Sequence, residues 1–128
     1  MKSVAEPELA QKSLKRAKNV LKEVPKLLSL NFLEIAEQRL YQAVFHGVKA
    51  LLYQDGVKEK SHVCVSLYFK EKYINQVPNA QLDLLDRLRD VRHESQYGLE
   101  EVMLDPDQIK HWLEEAKDLL EVIEKVLK

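Results

Sequence analysis

Residues 39–52, RLYQAVFHGVKALL, decide the fold. On a helix turning about 100° per residue, Leu40, Tyr41, Ala43, Val44, Phe45, Gly47, Val48, Ala50, Leu51 and Leu52 cover well over half the circumference. The remaining arc carries only Arg39, Gln42, His46 and Lys49. A helix apolar over so wide an arc belongs at the centre of a domain. Its single polar stripe needs a reason, because buried polar groups are costly unless paired. The stripe must face a water-filled groove, a polar partner or a ligand.

Outward from this stretch, five segments read as helix. The central one starts after Asn31, a good N-cap, and ends near Gly56, a good C-terminal breaker. Upstream, a helix spans about 7–29, with Leu14, Ala17, Leu21, Val24 and Leu28 in a 3-4-3-4 stripe. Pro25 should kink or split it near Val24. Downstream, DGVKEKS at 55–61 is a polar loop. HVCVSLYF at 62–69 is rich in strand formers, but FKEKYIN is not strand-like and no partner strand is evident, so a helix is expected over about 61–74. Asn79, after the breaker Pro78, should cap a fourth helix ending at Tyr97 and Gly98. Asp105-Pro106 is an N-cap and first-turn pair for a fifth, with Ile109, Trp112, Leu113, Ala116, Leu120, Ile123 and Leu127 on one face. The expected fold is all-α, an antiparallel up-and-down bundle of four to five helices. It should form one domain over 1–128, with 1–6 flexible.

Bulk properties narrow the function classes. With 20 Lys+Arg against 21 Asp+Glu, net charge is −1, so nucleic-acid binding would need a local basic patch. One cysteine, Cys64, excludes an internal disulfide and fits a reducing cytoplasm. Neither a transmembrane run nor an apolar signal core is present in the sequence, so a cytoplasmic protein without membrane contact is expected.

LLDRLRDVRHESQYG at 84–98 supplies a local basic surface. Arg87, Arg89, Arg92 and His93 fall within seven residues, with Leu84, Leu88 and Val91 forming the apolar face. Arg92 stands at the edge of that face. The bland reading of these arginines is ordinary pairing with Asp86, Asp90 or a neighbouring helix. For Arg92 the alternative is an arginine waiting for a phosphate. The four histidines, His46, His62, His93 and His111, show no metal spacing, and no metal or cofactor is expected. His46 lies in the polar stripe and His62 follows Ser61 at a helix start, where free N–H groups favour anions. His111 reads as surface, and Cys64 as packed and inert. No Gly-rich phosphate loop is present.

Three blocks, RLYQAVFHGVKALLYQDG, KSHVCVSLYFKEKYI and LRDVRHESQYG, in this order and spacing, resemble the HEPN domains of the small stand-alone archaeal and bacterial type. The resemblance covers roughly 8–127. It implies an up-and-down bundle that dimerises. Many members are metal-independent ribonucleases that use an Arg, four to six residues, then a His. Others pair with a minimal nucleotidyltransferase in toxin–antitoxin modules. By resemblance, Arg92 and Tyr97 fall on the family's Arg and Tyr and, with His93, would form the catalytic block; from the polar arcs of the two helices and the helix start, Arg39, His46, Lys49, His62 and Arg89 are expected to bind nucleotide. Arg87 and His93 have the family's count, yet an i, i+6 spacing sets them about 120° apart on a straight helix. Ser95 stands where the ribonucleases carry their His, which leaves acid–base catalysis without a clear owner. The expected function is therefore a homodimeric partner module associating with nucleotide or RNA, paired with a nucleotidyltransferase. A metal-independent endoribonuclease and a purely structural interaction protein are the alternatives.

Overall fold

The computed structural model describes residues 5–98 and 103–127, with the side chains of 95–97 outside the described set. α1 is Pro7–Leu21, with proline in its first turn and Ala10, Ser13, Leu14, Ala17, Val20 and Leu21 buried. The chain turns at Lys22 and Glu23 into α2, Val24–Ser29, which carries Pro25 in its own first turn. Proline lacks the N–H that would continue the α1 ladder but suits a helix start. The segment therefore splits at the expected place.

α2 closes on Asn31, whose φ is 59°. Its N–H reaches the Leu28 carbonyl at 3.0 Å, and that of Phe32 reaches Leu27 at 2.9 Å, a Schellman closure. Asn31, expected as an N-cap, instead ends the preceding helix, and Phe32 precedes α3. Asparagine suits either role, because its short polar side chain also tolerates the left-handed region.

α3 is Leu33–Asp55, 23 residues at the centre of the bundle, in contact with α1, α2, α4, α6 and α7. Of its ten apolar positions from Leu40 to Leu52, only Phe45 is not fully buried. Gly47 lets its neighbours close in: a Cβ there would lie 2.4 Å from Leu120 Cδ2 of α7. Gly56, at φ 70°, ends the helix, and the Val57 N–H bonds the Leu52 carbonyl at 2.9 Å.

α4 is His62–Lys72, and the Ser61 hydroxyl caps it by accepting from the Cys64 N–H at 3.3 Å. Only Val65, Ser66 and Phe69 turn inward, so the strand-forming composition serves a helix with one buried edge. Cys64 faces outward and is exposed, which corrects the expectation that it is packed. Two carboxylates fix this helix. Asp86 accepts from the Ser66 hydroxyl and the Lys70 ammonium, each at 2.6 Å. Asp55 accepts from the Tyr68 and Tyr73 hydroxyls at 2.7 and 2.6 Å.

The expected helix from Asn79 is two pieces, α5 at Asn79–Leu82 and α6 at Leu84–Tyr97, separated by a turn at Asp83. Pro78, not Asn79, occupies the cap position. α7, Pro106–Val126, starts as expected, with the Asp105 carboxylate accepting from the Asp107 N–H at 3.0 Å. Its buried row holds Ile109, Leu113, Ala116, Leu120, Ile123 and Leu127 as expected and adds Leu119, whereas Trp112 is only half-buried. The architecture is an all-α, antiparallel up-and-down bundle with five long helices and two short ones among the described residues. One contiguous apolar cluster holds it together. No described helix is long and apolar enough to cross a membrane.

Candidate functional site: a basic groove beside the central helix

The polar stripe of α3 opens into a groove of about 390 Å³. α3 contributes Arg39, Gln42 and His46, together with the edges of Tyr41 and Phe45. α1 adds Arg16, α4 adds His62 and α6 adds Arg92. Three arginines thus converge from three helices, in a chain whose charges otherwise nearly cancel. A second pocket of about 320 Å³ continues the groove along α1, past Lys12, Lys15 and Asn19, and shares Arg16 and Arg39 with the first.

The arginines are held lightly. Arg39 donates to the Gln42 side-chain Oε1 at 2.9 Å, and its Nε stands 3.6 Å from Glu23. The Arg16 Nε donates to His46 Nε2 at 3.3 Å. The Arg92 guanidinium lies over the Tyr41 ring, 5.3 Å from its centre. Such cation–aromatic contact orients a guanidinium without neutralising it.

The histidines are set differently. His62 stacks on Phe45 with ring centres 4.2 Å apart and planes 13° off parallel. Its Nδ1 pairs with the Tyr41 hydroxyl. Burial holds the His62 pKa below its usual value, helped by Arg92, Arg89 and Lys49. Burial likewise raises that of Tyr41. Both groups are therefore neutral at pH 7, and a single proton lies between the phenol oxygen and Nδ1. His46 is lowered by burial and then by Arg16 and Lys49. Its backbone carbonyl accepts from the Ser13 hydroxyl at 2.6 Å, which ties α3 to α1 beside the groove.

One turn before Tyr41 on α3 stands Glu37, 1% exposed. Neither of its carboxylate oxygens has a hydrogen-bond partner among the described residues. Burial raises its pKa from 4.5 to about 8, against an opposing pull from Arg92 and with a small addition from Glu34.

Of the residues singled out in the sequence, Arg39, His46, His62 and Arg92 line the groove. Lys49, on the same stripe, instead donates to the Glu59 carbonyl at 2.8 Å and lies 5.1 Å from the Tyr53 ring centre. Arg89 is half-buried beside the groove and acts on Tyr41 and His62 through its charge. His93 is exposed on α6 and is not part of the groove lining. The side chains of Ser95 and Tyr97 lie outside the described residues. Arg87 is committed elsewhere, to Glu115 and the Ala80 carbonyl, each at 2.8 Å. His111 pairs with Glu115 on α7 at 3.1 Å. Among the described residues no group of three or more His, Cys, Asp or Glu side chains is placed to hold a metal ion. Arg16, Tyr41 and Phe45 are the groove residues that sequence reasoning did not single out, and Glu37 is a buried residue outside the lining that it also passed over.

Comparison with known proteins shows what the chain is similar to. The family described as HEPN domain matches residues 10–127. A protein of Thermotoga maritima described as UPF0332 protein is 29% identical over 115 residues, covering 88% of this chain and 86% of its own length.

Proposed function

Because the chain belongs to the HEPN domain family, we propose that the groove binds the phosphates of a nucleotide or an RNA strand. In this reading the protein is a homodimeric partner module for a minimal nucleotidyltransferase of the toxin–antitoxin kind. The observation that carries the binding reading is the convergence of Arg16, Arg39 and Arg92 on one groove. Guanidinium groups suit phosphate oxygens because their planar fork matches them in two places at once. The stacked Phe45–His62 pair offers an aromatic edge on which a base can continue the stack. The second pocket, with Lys12 and Lys15, supports a strand with more than one phosphate over a lone mononucleotide. The dimer is supported by apolar surface that the bundle leaves open, including Val63, Leu67 and Ile74 at 46, 48 and 55% exposure.

The test is fluorescence anisotropy with labelled single-stranded RNA and with adenosine 5′-monophosphate as competitor. Three phosphate contacts on a single strand predict a log–log salt slope near −2, or roughly a tenfold to twentyfold loss between about 50 and 200 mM salt. In the same samples sedimentation is expected to give a dimer of the 14.9 kDa chain. Absent or salt-independent binding would refute the groove reading.

A metal-independent endoribonuclease is the second reading, favoured by one observation. His46 and His62 share the groove as neutral imidazoles, a pair able to take and give a proton. Cleavage in chelator that survives His93→Ala and disappears in His62→Ala would put this reading first.

A further inference from the structure

Glu37 is the one carboxylate among the described residues that is fully buried, and nothing in the packing calls for it. Its neighbours on the same face, Leu40 and Tyr41 one turn on and Val44 two turns on, are core residues. Both oxygens lack partners, although a buried carboxylate is ordinarily paired. Its position explains more than its contacts do. It stands one turn before Tyr41, the residue over which the Arg92 guanidinium rests. Arg92 is the opposite charge that acts on it most.

We propose that Glu37 is a counter-anion for Arg92 that is switched by a proton, so that the groove takes up a proton when it binds a phosphate. This rests on the groove being a phosphate site and adds how that site is regulated. Ionised Glu37 and a bound phosphate compete for one guanidinium. When phosphate occupies Arg92, a second negative charge behind Tyr41 has lost its compensation in a poorly solvated place, so Glu37 holds a proton. When the groove empties at a pH near or above 8, the carboxyl can release that proton and draw on Arg92; at pH 7 it stays neutral in both states. The overall step balances as empty groove with ionised Glu37, plus phosphate, plus one proton, giving occupied groove with neutral Glu37.

The charged groups that act on Glu37 are Arg92 of α6, which favours ionisation, and Glu34 of α3, which opposes it. Arg89 of α6 and His62 of α4 surround the same tyrosine. Arg16 of α1 lines the far side of the groove. The carboxyl titrates near pH 8, so the coupling falls in an accessible range.

Adenosine 5′-monophosphate is the probe, because its phosphate is already a dianion above neutral pH and adds no titration of its own. Its affinity is measured from about pH 7 to pH 9.5, with calorimetry at pH 8 in two buffers of different ionisation enthalpy to count protons. For the natural chain the affinity should fall by at least about threefold over this range, with net proton uptake at pH 8. In Glu37→Gln the alkaline fall and the uptake should both vanish while binding at pH 7 persists. A fall retained in full by Glu37→Gln, or a flat natural profile, would overturn the proposal. Failure of both proteins to bind at any pH would instead remove the phosphate-site reading beneath it.

Discussion

Glu37→Gln is expected to stabilise the fold by about 3 kcal/mol at pH 7, raising Tm by roughly 10 °C. The carboxyl titrates at about 8 in the folded chain and near 4.5 in the ordinary state. Between these values the native state holds a proton that the unfolded chain has given up. Stability is therefore fully present below pH 4.5 and is lost as pH rises toward 8. At pH 7 the gap corresponds to about 2.5 pH units, each worth about 1.4 kcal/mol. Glutamine ionises in neither state and escapes the penalty, while it replaces one unpartnered neutral group by another. Thermal melts from pH 5 to pH 8 should show the variant's advantage near zero at the acid end and growing with pH. A constant advantage, or a variant less stable at every pH, would contradict the burial account. A core position that costs stability in this way fits a group kept for the site it supports.

Arg92→Ala is expected to weaken RNA binding by roughly tenfold to a hundredfold, the worth of one charge-assisted contact to phosphate. The log–log salt slope should become shallower by about 0.7, because one fewer counterion is released on a single strand. Two controls locate the effect. Arg87→Ala removes the link to Glu115, so it should lower stability and leave affinity unchanged. Lys117→Ala removes a cation from α7, where it pairs with Glu114 at 3.3 Å, and should change neither. Equal losses for Arg92 and Lys117 would mean that general charge, not the groove, drives binding.

The sequence carried the central helix with little ambiguity, because its wide apolar arc leaves no other place for it. The same arc exposed Arg39, Gln42 and His46 as a stripe, and the groove runs along it. Caps such as Ser61 and Asp105 were legible because their side chains bond N–H groups two or three residues away. Arg16 was not legible. It reaches His46 across 30 residues, and the register of α1 on α3 is set by packing around Gly47 and Ala17, which no local pattern encodes. Lys49 shares the stripe, yet the chain after α3 folds back and offers it the Glu59 carbonyl. Glu37 left a signal that a window starting at Arg39 passes over. Extending the wheel two residues back places it three and four positions from Leu40 and Tyr41, on the buried face. Asn31 shows the opposite limit, since one residue type serves both as a helix cap and as a left-handed helix ending.

The groove itself is tested most directly by following histidine ring signals in an NMR titration with adenosine 5′-monophosphate at pH 7. His46 and His62 line the groove, whereas His111 sits on α7 beside Glu115 and serves as an internal reference. The account predicts saturable shifts of the His46 and His62 rings, with both moving toward their protonated positions as a phosphate raises their pKa. His111 should stay where it is. Unmoved His46 and His62 rings at saturating nucleotide, or shifts confined to His111, would contradict a phosphate site beside the central helix.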